Sequence, residues 1–144
     1  MLSYIIALIC FTACSANILQ PYNETAREMF HANDANQDGI YERAEIDYTF
    51  MIYDTNPNDG RVSHAEYTQY INNTSPSLHA LSLELYNVYD VDNDNLLEKH
   101  DYDNFFKLMD YDDNNEVSEH EFVHYWTIMF ESLGHLIDAG GISL

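Results

Sequence analysis

The chain of 144 residues carries 25 Asp and Glu against five Lys and Arg, a formal charge of −20 with histidine neutral. Such an acidic surface has no basic footprint with which to displace counterions from a nucleic acid, and it is repelled by anionic membranes. An apolar share of 46%, with twelve Tyr and seven Phe, also excludes a disordered acidic tail and lets a single domain bury a real core.

Residues 1–16, MLSYIIALICFTACSA, form an apolar run too short to span a bilayer and end in small residues at Ala16. The pattern predicts a secretory leader that is removed, although no Lys or Arg precedes the run; the alternative is a buried N-terminal helix or anchor. Cys10 and Cys14 both fall inside it, so a mature chain from Asn17 has no disulfide. An extracellular domain without such staples needs another source of stability, and bound metal is a candidate. Sequons at Asn23, Asn72 and Asn73 would be glycan acceptors in a eukaryotic source.

Apolar spacing predicts helices over 23–33, 46–53, 64–73, 78–89, 102–109 and 118–133, with acidic segments between them starting at Asp34, Asp54, Asp90 and Asp110. NTSPS, residues 73–77, contains Pro76 and breaks the chain into a first half, 17–76, and a second, 77–133. Residues 134–144 read as a loose tail. The halves are a repeat: the first and third acidic segments start 56 residues apart, as do the second and fourth, but Glu66 and Glu121 are only 55 apart. One extra residue therefore sits inside the second segment. Within each half the segments start 20 residues apart and share one short helix. Apolar residues at helical spacings on those helices are Ile46, Phe50, Met51 and Tyr53 in the first, and Phe105, Phe106 and Met109 in the second.

The acidic segments have the spacing that wraps a hard cation. Asp34, Asn36, Asp38, Gly39 and Glu45 occupy positions 1, 3, 5, 6 and 12 of a twelve-residue stretch. Alternate oxygens at 1, 3 and 5 line one side of a Ca²⁺ ion, the residue at 6 turns the chain at positive φ, the carbonyl at 7 points inward, and the acid at 12 closes the shell. The third segment repeats this with Asp90, Asp92, Asp94, Asn95 and Asp101, the fourth with Asp110, Asp112, Asn114, Asn115 and Glu121. Asn95 and Asn115 replace glycine by the residue next most tolerant of the left-handed region. The second segment, counted from Asp54, is a thirteen-residue loop offering Asp54, Asn56, Asn58 and Glu66; counted back from Gly60, Asp59 takes position 5 instead. It is expected to bind most weakly or not at all. Asp101, shorter than glutamate by a methylene, is expected to engage through one oxygen or a water. Carbonyls of Ile40, Leu96 and Glu116 would complete the shells, with Glu42, Ser63, Glu98 and Ser118 acting through water. Position 8, Tyr41 in the first loop, should face the core.

These four segments, covering residues 22–133, resemble the loops of the EF-hand calcium-binding superfamily. The resemblance implies an all-α domain of helix-loop-helix units, two duplicated halves with two calcium loops each, and Ca²⁺ as cofactor. With the leader and the acidity, the close loop spacing is similar to small secreted EF-hand proteins of invertebrates, including those of molluscan shell matrices. A 20-residue spacing puts the loops of one half at opposite ends of their shared helix. The second and third loops, 36 apart, are then free to pair, leaving the first and fourth to meet across the molecule.

Other signals are weaker. His120 and His124 are four apart on a helix, as zinc ligands can be, but no HExxH frame joins them and a surface face is the expectation; the other histidines show no partner. Phe122, Val123, Trp126, Met129 and Phe130 form a stripe read as packing rather than as a target groove. No nucleophile motif or phosphate loop appears, so no enzyme is expected. The expected role is a secreted calcium buffer, store or mineral-matrix component, with calcium ions and calcium mineral as partners. The alternative is a sensor that exposes an apolar face to an extracellular protein.

Overall fold

In the computed structural model the described residues are 19–134 and Leu136. The expected leader, 1–16, and most of the expected tail, 134–144, lie outside them. Six helices follow in chain order: α1 Tyr22–Asn33, α2 Arg43–Met51, α3 His64–Thr74, α4 His79–Tyr89, α5 Lys99–Met109 and α6 Glu119–Leu133. A 3-10 turn over Pro76–Leu78 joins α3 to α4, where the Pro-containing break was expected. None of the described helices is long and apolar enough to cross a membrane.

The expectation of an all-α chain needs one correction, because four two-residue strands lie within the acidic segments: β1 Ile40–Tyr41, β2 Val62–Ser63, β3 Leu96–Leu97 and β4 Val117–Ser118. They form two antiparallel ladders, β1 with β4 and β2 with β3. Tyr41 stands opposite Val117 and Val62 opposite Leu97, and all four are buried, so position 8 of each loop, two residues after the turn, faces the core as expected. Loops one and four thus meet across the molecule, as do loops two and three.

Helix starts follow from caps. Ser63 and Ser118 accept the N–H of Glu66 and Glu121, and those carboxylates accept the serine N–H in return at 2.9 Å in both cases. Glu45 and Asp101 likewise accept the N–H of Glu42 and Glu98 at 2.9 and 2.8 Å. The acid that ends each loop is therefore the third residue of the helix that follows.

Packing pairs α1 with α6, α2 with α5 and α3 with α4, so the two halves share one core. The core is built largely of rings in edge-to-face contact, each pair contributing about 0.5–1.5 kcal/mol beyond its buried area. Phe122 meets Tyr41 at 5.2 Å and Phe30 at 5.5 Å, while Phe50 stacks on Tyr102 at 4.5 Å. Ile46, Phe50, Tyr53, Phe105, Phe106 and Met109 are buried as expected; Met51 is not, being 65% exposed at the last residue of α2. Phe122, Trp126 and Phe130 are buried, with Val123 and Met129 packed at the edge, which supports the packing reading of that stripe.

Candidate metal centres

Each acidic loop folds around its own first aspartate. In loop one Asp34 accepts the N–H of Asp38 at 3.2 Å and of Gly39 at 2.9 Å. In loop three Asp90 accepts from Asp94 and Asn95 at 3.2 and 2.9 Å, and in loop four Asp110 accepts from Asn114 and Asn115 at 3.0 and 2.9 Å. The residue at 5 then folds its own oxygen onto the N–H at 7: Asp38 to Ile40, Asp94 to Leu96 and Asn114 to Glu116, at 2.9, 2.8 and 2.7 Å. Asn36, Asp92 and Asp112 accept the N–H two residues on, at 3.0, 3.3 and 3.2 Å. Positive φ at Gly39 (85°), Asn95 (65°) and Asn115 (66°) makes the turn, as expected for those residues. A second left-handed residue two positions earlier, Gln37, Asn93 and Asp113 (φ 60°, 59° and 59°), was not foreseen.

Loop two shows where its extra residue goes. Asp54 accepts from Asp59 at 3.1 Å and Gly60 at 2.8 Å, and Asp59 accepts from Arg61 at 3.1 Å, which is the pattern of position 5 in the other loops. Asn58, expected to offer its oxygen there, instead donates its amide to the Asp54 carbonyl at 2.9 Å. The hydrogen-bonded loop runs from Asp54 to Glu66, and Asp59 rather than Asn58 takes the place that Asp38, Asp94 and Asn114 take in the others. Asn56 contributes its N–H to Glu66 at 2.9 Å.

The first and last acids of all four loops are buried: Asp34 and Glu45, Asp54 and Glu66, Asp90 and Asp101, Asp110 and Glu121. Among the described residues no Lys or Arg reaches any of these eight. Backbone N–H groups hold them instead. At Glu66 burial disfavours the charge, but the N–H and hydroxyl of Ser63 and the N–H groups of Asn56 and Thr55 outweigh it and hold the carboxyl below its usual range. Asp101, despite its shorter side chain, still reaches back to the Val91 N–H at 3.0 Å.

Two loops bring three carboxylates together. One oxygen each of Asp90, Asp92 and Asp94 lies within 4.8 Å of the others, as does one oxygen each of Asp110, Asp112 and Glu121. A third group joins His100 to Asp92 and Asp101, with Nε2 at 3.0 and 3.5 Å from their oxygens. His100 therefore has partners that its sequence position did not reveal. In loop four Glu121 accepts the N–H and hydroxyl of Ser118 with Oε2, at 2.9 and 2.7 Å, whereas Oε1 is buried without a donor. Tyr111 is exposed, and its hydroxyl lies 3.3 Å from His120 Nδ1. His120 and His124 stack in parallel on the exposed face of α6.

Compared with known proteins, the chain matches no protein-family model, no curated protein and no solved structure.

Proposed function

We propose that the protein is a secreted calcium binder of the EF-hand kind, holding up to four Ca²⁺ in loops 34–45, 54–66, 90–101 and 110–121. The observation that carries this reading is the eight buried carboxylates, two per loop, that no Lys or Arg neutralises among the described residues. Burying an ionised group is costly unless an opposite charge or a full set of donors compensates it. A hard cation that takes six to eight oxygens at about 2.3–2.6 Å suits such loops. Asp34, Asn36, Asp38 and Glu45, with the Ile40 carbonyl, would serve the first ion, and Asp54, Asn56, Asp59 and Glu66 the second. Asp90, Asp92, Asp94 and Asp101, with the Leu96 carbonyl, would serve the third, and Asp110, Asp112, Asn114 and Glu121, with the Glu116 carbonyl, the fourth.

The role is an extracellular buffer, store or mineral-matrix component, in keeping with a charge of −20 that calcium or a mineral face would offset. Asn23, Asn72 and Asn73 are all exposed, which supports their use as glycan acceptors. A second reading, a calcium sensor, is favoured by one feature. A groove of about 420 Å³ beside loop four is lined by Leu108, Tyr111, Tyr125, Ile128 and Met129 and also touches Glu121. A calcium-dependent rise in binding of an apolar dye would favour the sensor; no change would favour the buffer. The primary test is a calorimetric calcium titration in the presence of magnesium. Three or four sites with Kd of about 10⁻⁴ to 10⁻³ M are expected for an extracellular module, and absence of binding would refute the reading.

A further inference from the structure

We infer that the loops load in a set order, with the fourth first. The inference rests on the calcium reading above and adds which loop a divalent cation finds ready. In loops one, two and three the closing acid is engaged at both ends. One oxygen takes the N–H of the helix cap, and the other takes N–H groups at the head of the loop. Glu45 Oε1 accepts from Ala35 at 2.7 Å, Glu66 Oε1 from Asn56 and Thr55 at 2.9 and 3.2 Å, and Asp101 Oδ1 from Val91 at 3.0 Å. A cation that takes both oxygens of that acid must compete with these donors for the lone pairs.

Loop four departs from this pattern at its second residue. The Tyr111 N–H donates to the Met109 carbonyl at 2.9 Å and is not directed at the closing acid. Glu121, 3% exposed, is left with Oε1 buried and without a donor, and it shares a 4.8 Å cluster with Asp110 and Asp112. A buried carboxylate oxygen lacking a partner gains more from a cation than one already satisfied by N–H groups. The other loops carry further internal contacts that a cation must replace. The Arg61 guanidinium is 3.2 Å from Asp59 in loop two, His100 is 3.0 Å from Asp92 in loop three, and the Asn36 amide is 2.9 Å from Asp38 in loop one.

The test is a calorimetric calcium titration of the full chain alongside E121Q, D112A, E45Q and D92A, with the first binding step as readout. E121Q and D112A are expected to weaken that step at least about tenfold, the weight of one charge-assisted contact. E45Q and D92A should leave the first step within about twofold and remove a later one. Asp112 is exposed and its one hydrogen bond lies within the loop, so D112A tests the order even if E121Q fails to fold. If E45Q or D92A weakens the first step while D112A leaves it intact, the order is overturned and the calcium reading stands. If the unsubstituted protein binds no calcium, both fall.

Discussion

The two ladders join loops that share one cage but differ in what neutralises it. Around β2 and β3 the positive charge is internal: Arg61 lies 3.2 Å from Asp59 of its own loop and 3.7 Å from Glu98 of the facing loop, and His100 lies 3.0 Å from Asp92. Around β1 and β4 the basic side chains are spent elsewhere. Arg27 pairs with Glu119 at 3.1 Å, and Arg43 pairs with Asp103 at 2.8 Å and with Asp47, none of them cage residues. Among the described residues, then, the first and fourth loops have no Lys, Arg or His paired with their cage acids, which backbone N–H groups hold instead. One Arg and one His thus set the charge balance of the two ladders apart.

The core beneath each ladder should give the largest effects. Phe122→Ala, which removes the contacts to Tyr41 and Phe30, should cost about 3–5 kcal/mol in chemical unfolding and weaken calcium binding at loops one and four only. Leu97→Ala, opposite Val62, should cost about 2–5 kcal/mol and act on loops two and three instead. Equal effects on both pairs would show that the ladders are not separable. Calcium itself should come next: a site filled at about one hundred times its Kd adds about 2.7 kcal/mol, so chelation should lower Tm and far-UV helix signal together.

Asn115→Ala forces an alanine to φ 66° and should cost about 1–2 kcal/mol, whereas Asn115→Gly should be close to neutral. The smallest effects concern the charges around loops two and three. Arg61→Gln should raise affinity in loops two and three by about two- to fivefold, since the pairs it makes are half exposed. At His100 desolvation pulls the pKa down, but the charge of Asp101, the hydrogen bond and charge of Asp92, and Glu98 outweigh it, so the imidazole pKa is raised. Stability from that proton is full below the unfolded histidine pKa and is lost as pH rises through the folded one. In chelator, His100→Gln should therefore be less stable than the parent only on the acid side of that window. Calcium binding at loop three should weaken on acidification in the parent and less so in His100→Gln.

Much of this was legible in the residues. Repeat offsets placed the four loops and the extra residue of loop two, Pro76 among small polar residues marked the break between halves, and the 20- and 36-residue loop spacings implied which loops face each other. Other features depend on distances that spacing does not carry. Whether Asn58 or Asp59 lies beside Asp54 depends on which N–H reaches its carboxylate; the count from Asp54 gives Asn58, the count back from Gly60 gives Asp59, and the hydrogen bonds follow the second. Gln37 has no strong intrinsic preference for positive φ, so its turn gave no signal. Two-residue strands are too short to show alternation. Met51 has helical spacing yet lies where α2 ends, so its side chain is left outside the core. The orphaned Oε1 of Glu121 arises from the backbone turn at Tyr111, which no residue type announces.

The most direct measurement is a calcium titration followed by the backbone amide resonances of Gly39, Gly60, Asn95 and Asn115. Each of these N–H groups donates to the first aspartate of its loop at 2.8 to 2.9 Å, so a cation on the far side of that carboxylate perturbs it site by site. The account predicts that these resonances move with calcium, Asn115 at the lowest concentration and Gly60 at the highest. Resonances that stay fixed from chelator to tens of millimolar calcium would contradict it.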